Sequence, residues 1–101
     1  MQIEDAIAPE ESGICTIEHL AKASGLSLAE VQELIDTGVI VPLDQLVEPA
    51  RFHKQYVVTA LTARRLRDDF ELDRRGVAVA LMLLQRIDAL ENELRALKAR
   101  H

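Results

Sequence analysis

The chain has 101 residues and a mass of 11.3 kDa, with 49% hydrophobic, 29% charged and only 3% aromatic side chains. That composition fits one folded, helix-rich domain, too short for two independent cores and too apolar for a disordered chain. The net charge of −5 hides a division: residues 1–50 hold ten acidic side chains against the single base Lys22, whereas residues 51–101 hold seven acids against eleven bases.

A chain divided in this way suits a basic partner for its acidic half and either a second partner or self-association for the other half. Cys15 has no second cysteine to pair with and no basic-then-apolar leader precedes a cleavage site, so the chain is expected to be cytoplasmic. The longest uncharged apolar stretch, Gly76 to Gln85, is ten residues, far short of a bilayer, which excludes a membrane protein.

Residues 1–13, acidic and interrupted by Pro9, are expected to form a flexible arm. Order is expected from Ile14. Thr16 can cap a first helix that places Ile17, Leu20 and Ala21 on one side, and Ser24-Gly25 ends it. Ser27 and Glu30 form a capping-box pattern ahead of Leu28, Val31, Leu34 and Ile35, which repeat at helical spacing until Gly38. Two short helices joined by so tight a turn form a helix-turn-helix. The stretch Asp44 to Phe52, containing Pro49, has the length of a connecting arm or small wing.

A third helix is expected from His53 to Leu72, with Val58, Leu61, Leu66 and Phe70 in the core and Arg64, Arg65, Arg67, Asp68 and Asp69 outside. Asp73 caps a fourth, longest helix from about Arg74 to the end, so the two long helices should meet at a tight corner near Leu72. Val77 to Leu84 is apolar nearly all round and is expected to be buried. Further on, Leu83, Ile87, Leu90, Leu94 and Leu97 follow the 4-3-4-3 spacing of a coiled-coil seam, and Glu91 and Arg95 stand as an i,i+4 pair. Either the third helix or a second chain must cover that seam, and the length of the terminal helix favours a homodimer. The domain units expected are therefore 1–13, 14–75 and 76–101.

Nothing in the chain assembles a catalytic or metal site. His19, His53 and His101 are scattered, Glu18-His19 lacks the second histidine of a zinc motif, and Cys15 with His19 supplies two ligands at most. The four glycines stand singly, so no phosphate loop exists, and the expectation is no enzyme and no cofactor. Arg64, Arg65 and Arg67 fan across a wide arc, and Asp68, Asp69 and Glu71 follow directly and cancel most of their attraction for phosphate. The second helix differs because its acids have no local counter-charge. Glu30, Glu33 and Asp36 follow each other at i+3 steps, Asp44 and Glu48 continue the acidity, and no Lys or Arg lies between Gly25 and Ala50. A helix that must approach phosphates would carry cations there, so the expected partner is a basic protein surface.

The order Thr16-Ile17-Glu18-His19-Leu20-Ala21, Ser24-Gly25-Leu26-Ser27, Gly38-Val39-Ile40-Val41-Pro42 and Phe70-Glu71-Leu72-Asp73 resembles the helix-turn-helix module of MerR-type regulators. The arginine and tyrosines of the MerR reading helix are replaced by Glu30, Gln32, Glu33 and Asp36. Leu66-Arg67 leading into Leu72-Asp73, the run Gly76-Val77-Ala78-Val79-Ala80-Leu81 and the leucine-repeat end resemble the CbpM family of chaperone modulators over residues 14–99. At the wing this chain has Arg51, Phe52, His53 and Lys54, where that family often places a tryptophan and acids.

The resemblance implies an all-α fold, a MerR-like helix-turn-helix followed by two long helices, the last ending in a coiled-coil-like tail. It also implies a partner, the J-domain of a CbpA-type DnaJ-like co-chaperone, whose work with DnaK and association with DNA such proteins restrain. On this reading Glu30, Glu33 and Asp36 dock the basic J-domain surface, Asp44 and Glu48 steer it, and Leu83, Ile87, Leu90, Leu94 and Leu97 form a homodimer seam. Direct nucleic-acid binding is then not expected. The alternative is a MerR-type DNA-binding transcriptional regulator using Arg51, Lys54, Arg64, Arg65 and Arg67.

Overall fold

The structure is a computed structural model in which residues 13–100 are described; apart from Gly13, the arm expected over 1–13 lies outside them. The elements are β1 (Ile14–Cys15), α1 (Ile17–Ser24), α2 (Leu28–Asp36), β2 (Phe52–His53), α3 (Tyr56–Phe70) and α4 (Arg74–Ala99). This is the expected all-α architecture, with one minimal antiparallel pairing, Ile14 opposite His53 and Cys15 opposite Phe52. The Lys54 N–H donates to the Gly13 carbonyl at 2.9 Å and extends that pairing by one bond.

Local chemistry sets the helix ends. Thr16 accepts the His19 N–H at 3.1 Å to open α1, and Gly25, at a left-handed φ of 86°, closes it by donating to Ala21 at 2.9 Å. Ser24, buried inside this turn, is satisfied: its hydroxyl donates to the Leu20 carbonyl at 2.7 Å and accepts the Leu26 N–H at 3.2 Å. After α2 the Leu34 carbonyl accepts from both Val39 and Ile40, turning the chain so that these two side chains enter the core. Asp73 accepts the Gly76 N–H at 2.8 Å to open α4, while Glu71 at φ 53° makes the corner with α3.

Leu20, Val31, Leu34, Ile40 and Phe52 are the largest apolar side chains buried at the centre of the core. Phe52 anchors β2 there, so a two-residue strand suffices to fix the start of α3. The third helix is shorter than expected, because His53 belongs to the strand and Glu71 leaves helical φ and ψ. Its core side also differs. Val58 and Phe70 are 66% and 67% exposed, Leu61 is exposed, and Leu66 is only half-buried. Ala60 and Ala63 are buried instead, in a stripe with Tyr56, Val57 and Leu66. Alanine lets helix axes approach closely, but it gives a weak hydrophobic signal in a sequence.

α4 departs from expectation in a related way. Only Val77, Ala78 and Leu81 are buried, whereas Val79, Met82, Leu83 and Leu84 are exposed. The domain covers one side of this helix and no more. Leu83, Ile87, Leu90, Leu94 and Leu97 are all about half-exposed, so α3 does not fold back over the seam. Arg95 hydrogen-bonds Asn92 one turn back, and among the described residues no Glu91–Arg95 ion pair forms.

Candidate functional site

α1 and α2, joined through Gly25, Leu26 and Ser27, form the helix-turn-helix. The capping box that starts α2 is complete: the Glu30 N–H donates to the Ser27 hydroxyl at 3.1 Å, and the Ser27 N–H donates to Glu30 Oε1 at 2.8 Å. The same Oε1 accepts Arg67 Nη1 at 2.8 Å from the last turn of α3. Arg67 also donates from Nε to Asp68 at 2.9 Å, and Arg64 lies 3.4 Å from the other Asp68 oxygen. The hydrogen bond from Arg67 holds the Asp68 carboxyl below its ordinary range, and the reciprocal bond holds the guanidinium more firmly protonated. Glu33 faces Arg74, at the start of α4, across 3.8 Å.

The acidic row therefore splits. Glu30 and Glu33 lie against the α3–α4 corner and meet arginines that stand far from them in sequence, so they are not the unbalanced charges that local spacing suggested. Asp36 is exposed and, among the described residues, its carboxylate has one hydrogen-bond partner, Gln32, whose amide donates to it at 2.9 Å. The solvent face of α2 is Leu28, Ala29, Gln32 and Asp36, with Leu28, which shares the helical spacing of Val31, Leu34 and Ile35, 51% exposed. Asp44 and Glu48 are exposed on the loop that follows.

That loop brings exposed apolar groups which sequence reasoning did not single out: Val41, Leu43, Leu46 and Val47. The available signal was four large apolar residues lying around Pro42 and ahead of Pro49 with neither helical nor strand period. Arg64 extends its side chain over Gly25, and Arg67 is committed to Glu30 and Asp68. Two of the five cations that a nucleic-acid reading would use thus answer carboxylates within the fold, while Arg51 and Arg65 are exposed.

Beneath the Glu30 and Arg74 side chains lies a void of about 10 Å³ bordered by Leu26, Leu34, Ala63 and Val77, room for about one water and for no substrate. Cys15 is buried, and desolvation raises its thiol pKa against the pull of Lys54, so it packs as a small hydrophobe. Among the described residues no three His, Cys, Asp or Glu side chains converge for a metal, and no helix is long and apolar enough to cross a membrane.

Residues 15–99 match the family described as MerR HTH family regulatory protein. Curated relatives of the chain carry the name chaperone modulatory protein CbpM. The one from Citrobacter koseri is 33% identical over 82 residues, 81% of each chain. Those from Pseudomonas putida and Escherichia coli are 32% and 33% identical, over 80% and 84% of each chain.

Proposed function

From the premise that this chain belongs to the CbpM family of chaperone modulatory proteins, on the MerR-type helix-turn-helix, we propose that it binds the J-domain of a CbpA-type DnaJ-like co-chaperone in the cytoplasm. By occupying the J-domain it inhibits the stimulation of DnaK and the co-chaperone's association with DNA. The observation that carries this reading is the solvent face of α2. A reading helix that presents Leu28, Ala29, Gln32 and Asp36, followed by a loop with Asp44 and Glu48, offers phosphates no cation and offers a basic protein helix both apolar contact and opposite charge.

Asp36 makes the direct acidic contact, Glu30 and Glu33 add to the field from behind Arg67 and Arg74, and Asp44 and Glu48 steer the approach. Two chains pair through Leu83, Ile87, Leu90, Leu94 and Leu97 of α4, a role supported by the half-exposure of all five.

Calorimetric titration of the chain into the J-domain of its own organism's co-chaperone tests the proposal. The expected result is saturable binding that weakens as salt shortens the Debye length to about 8 Å and below. Absence of heat at low and physiological salt, together with a retarded band on genomic DNA fragments, would replace it with transcriptional regulation through Arg51 and Arg65.

A further inference from the structure

The loop between α2 and β2 carries an apolar surface that the fold does not use. Leu46 is 93% exposed, the most of any large exposed hydrophobic among the described residues, and Val41, Leu43 and Val47 are exposed beside it in sequence. One surface leucine is ordinary, but four large apolar side chains within seven residues mark a contact surface.

The loop is also held in shape. The Leu43 N–H donates to the Arg51 carbonyl at 2.8 Å and closes its base. At the tip the Asp44 carboxylate accepts the Leu46 N–H at 2.9 Å, and the Asp44 carbonyl accepts the Val47 N–H at 3.2 Å. A tip whose backbone is already bonded loses less freedom when it docks. Asp44 and Glu48 flank the leucine, and no Lys or Arg lies between Gly25 and Ala50. The carboxylates repel nucleic acid and anionic lipid and complement a protein surface lined with cations.

We infer that Leu46 is the apolar anchor of the partner interface, entering an apolar pocket on the J-domain whose surrounding Lys or Arg side chains draw in the loop through the field of Asp44 and Glu48; this rests on the proposed co-chaperone reading. The arrangement concentrates binding in one desolvated side chain and leaves orientation to the charges around it. Leu46 belongs neither to the buried cluster nor to the partly buried side chains packed against it, so its replacement tests docking apart from folding.

The test is titration of the full chain and its Leu46→Ser and Leu46→Met variants into the J-domain, with circular dichroism melting of each. Leu46→Ser is expected to weaken binding about thirtyfold, Leu46→Met to stay within a few-fold of the unaltered chain, and all three melting curves to coincide. Unchanged affinity of Leu46→Ser overturns the anchor and leaves the co-chaperone reading standing. Failure of the unaltered chain to bind overturns both. If Leu46→Ser instead abolishes self-association or sedimentation with phosphatidylcholine vesicles while J-domain affinity is kept, the leucine serves a second copy or a lipid surface and the inference is overturned.

Discussion

Glu30 serves two partners with one oxygen, capping α2 through Ser27 and receiving Arg67 from α3. Replacing it by alanine removes both hydrogen bonds, and the expected cost is about 1–2 kcal/mol of folding stability, measured by urea unfolding. Asp36 behaves in the opposite way. It stands at the last turn of α2, where a carboxylate opposes the helix dipole, so Asp36→Lys should leave stability unchanged or raise it by a few tenths of a kcal/mol. The same change should weaken J-domain affinity several-fold in the calorimeter; equal affinity would remove Asp36 from the interface. The caps of Thr16, Ser27 and Asp73 were legible because a cap is written within four residues. The ion pairs of Glu30 and Glu33 were not, because Arg67 stands 37 positions from Glu30 and only the fold brings them together.

Among the elements, α3 and α4 show where hydrophobic pattern misleads. Large side chains such as Val58 and Phe70 drew the predicted core stripe of α3, yet the helix packs through Ala60 and Ala63. Close packing favours the small residue, while pattern reading favours the large one. In α4 the heptad was legible because five leucine or isoleucine positions at strict spacing leave little choice of face. At 100° per residue, Val77, Ala78 and Leu81 cluster on one side and Leu83, Ile87, Leu90, Leu94 and Leu97 on nearly the opposite side. The domain's own packing therefore uses one face of α4 and leaves the proposed pairing face untouched. Leu90→Asp is expected to convert the sedimenting species from dimer to monomer and to leave the helix-turn-helix folded by near-ultraviolet circular dichroism. A variant that still sediments as a dimer would place the pairing surface elsewhere.

For the whole molecule, the acidic first half and basic second half are not separate lobes. The structure stitches them together where Arg67 and Arg74 meet Glu30 and Glu33, and among the described residues of α2 and the loop after it the carboxylates left exposed to a visitor are those of Asp36, Asp44 and Glu48. Composition revealed the imbalance, but which carboxylates stay free depends on the meeting of α2 with the α3–α4 corner. The long fourth helix has a further consequence. Leu81 is its last buried residue, and among the described residues the last hydrogen bond from this helix to the rest of the domain is Gln85 Nε2 to the Val39 carbonyl at 3.4 Å. Beyond Arg86 the remaining turns of α4 add nothing to the interior. A stop codon placed there should yield a minimal fragment that still melts cooperatively and still captures the J-domain, but as a solitary unit with a single grip.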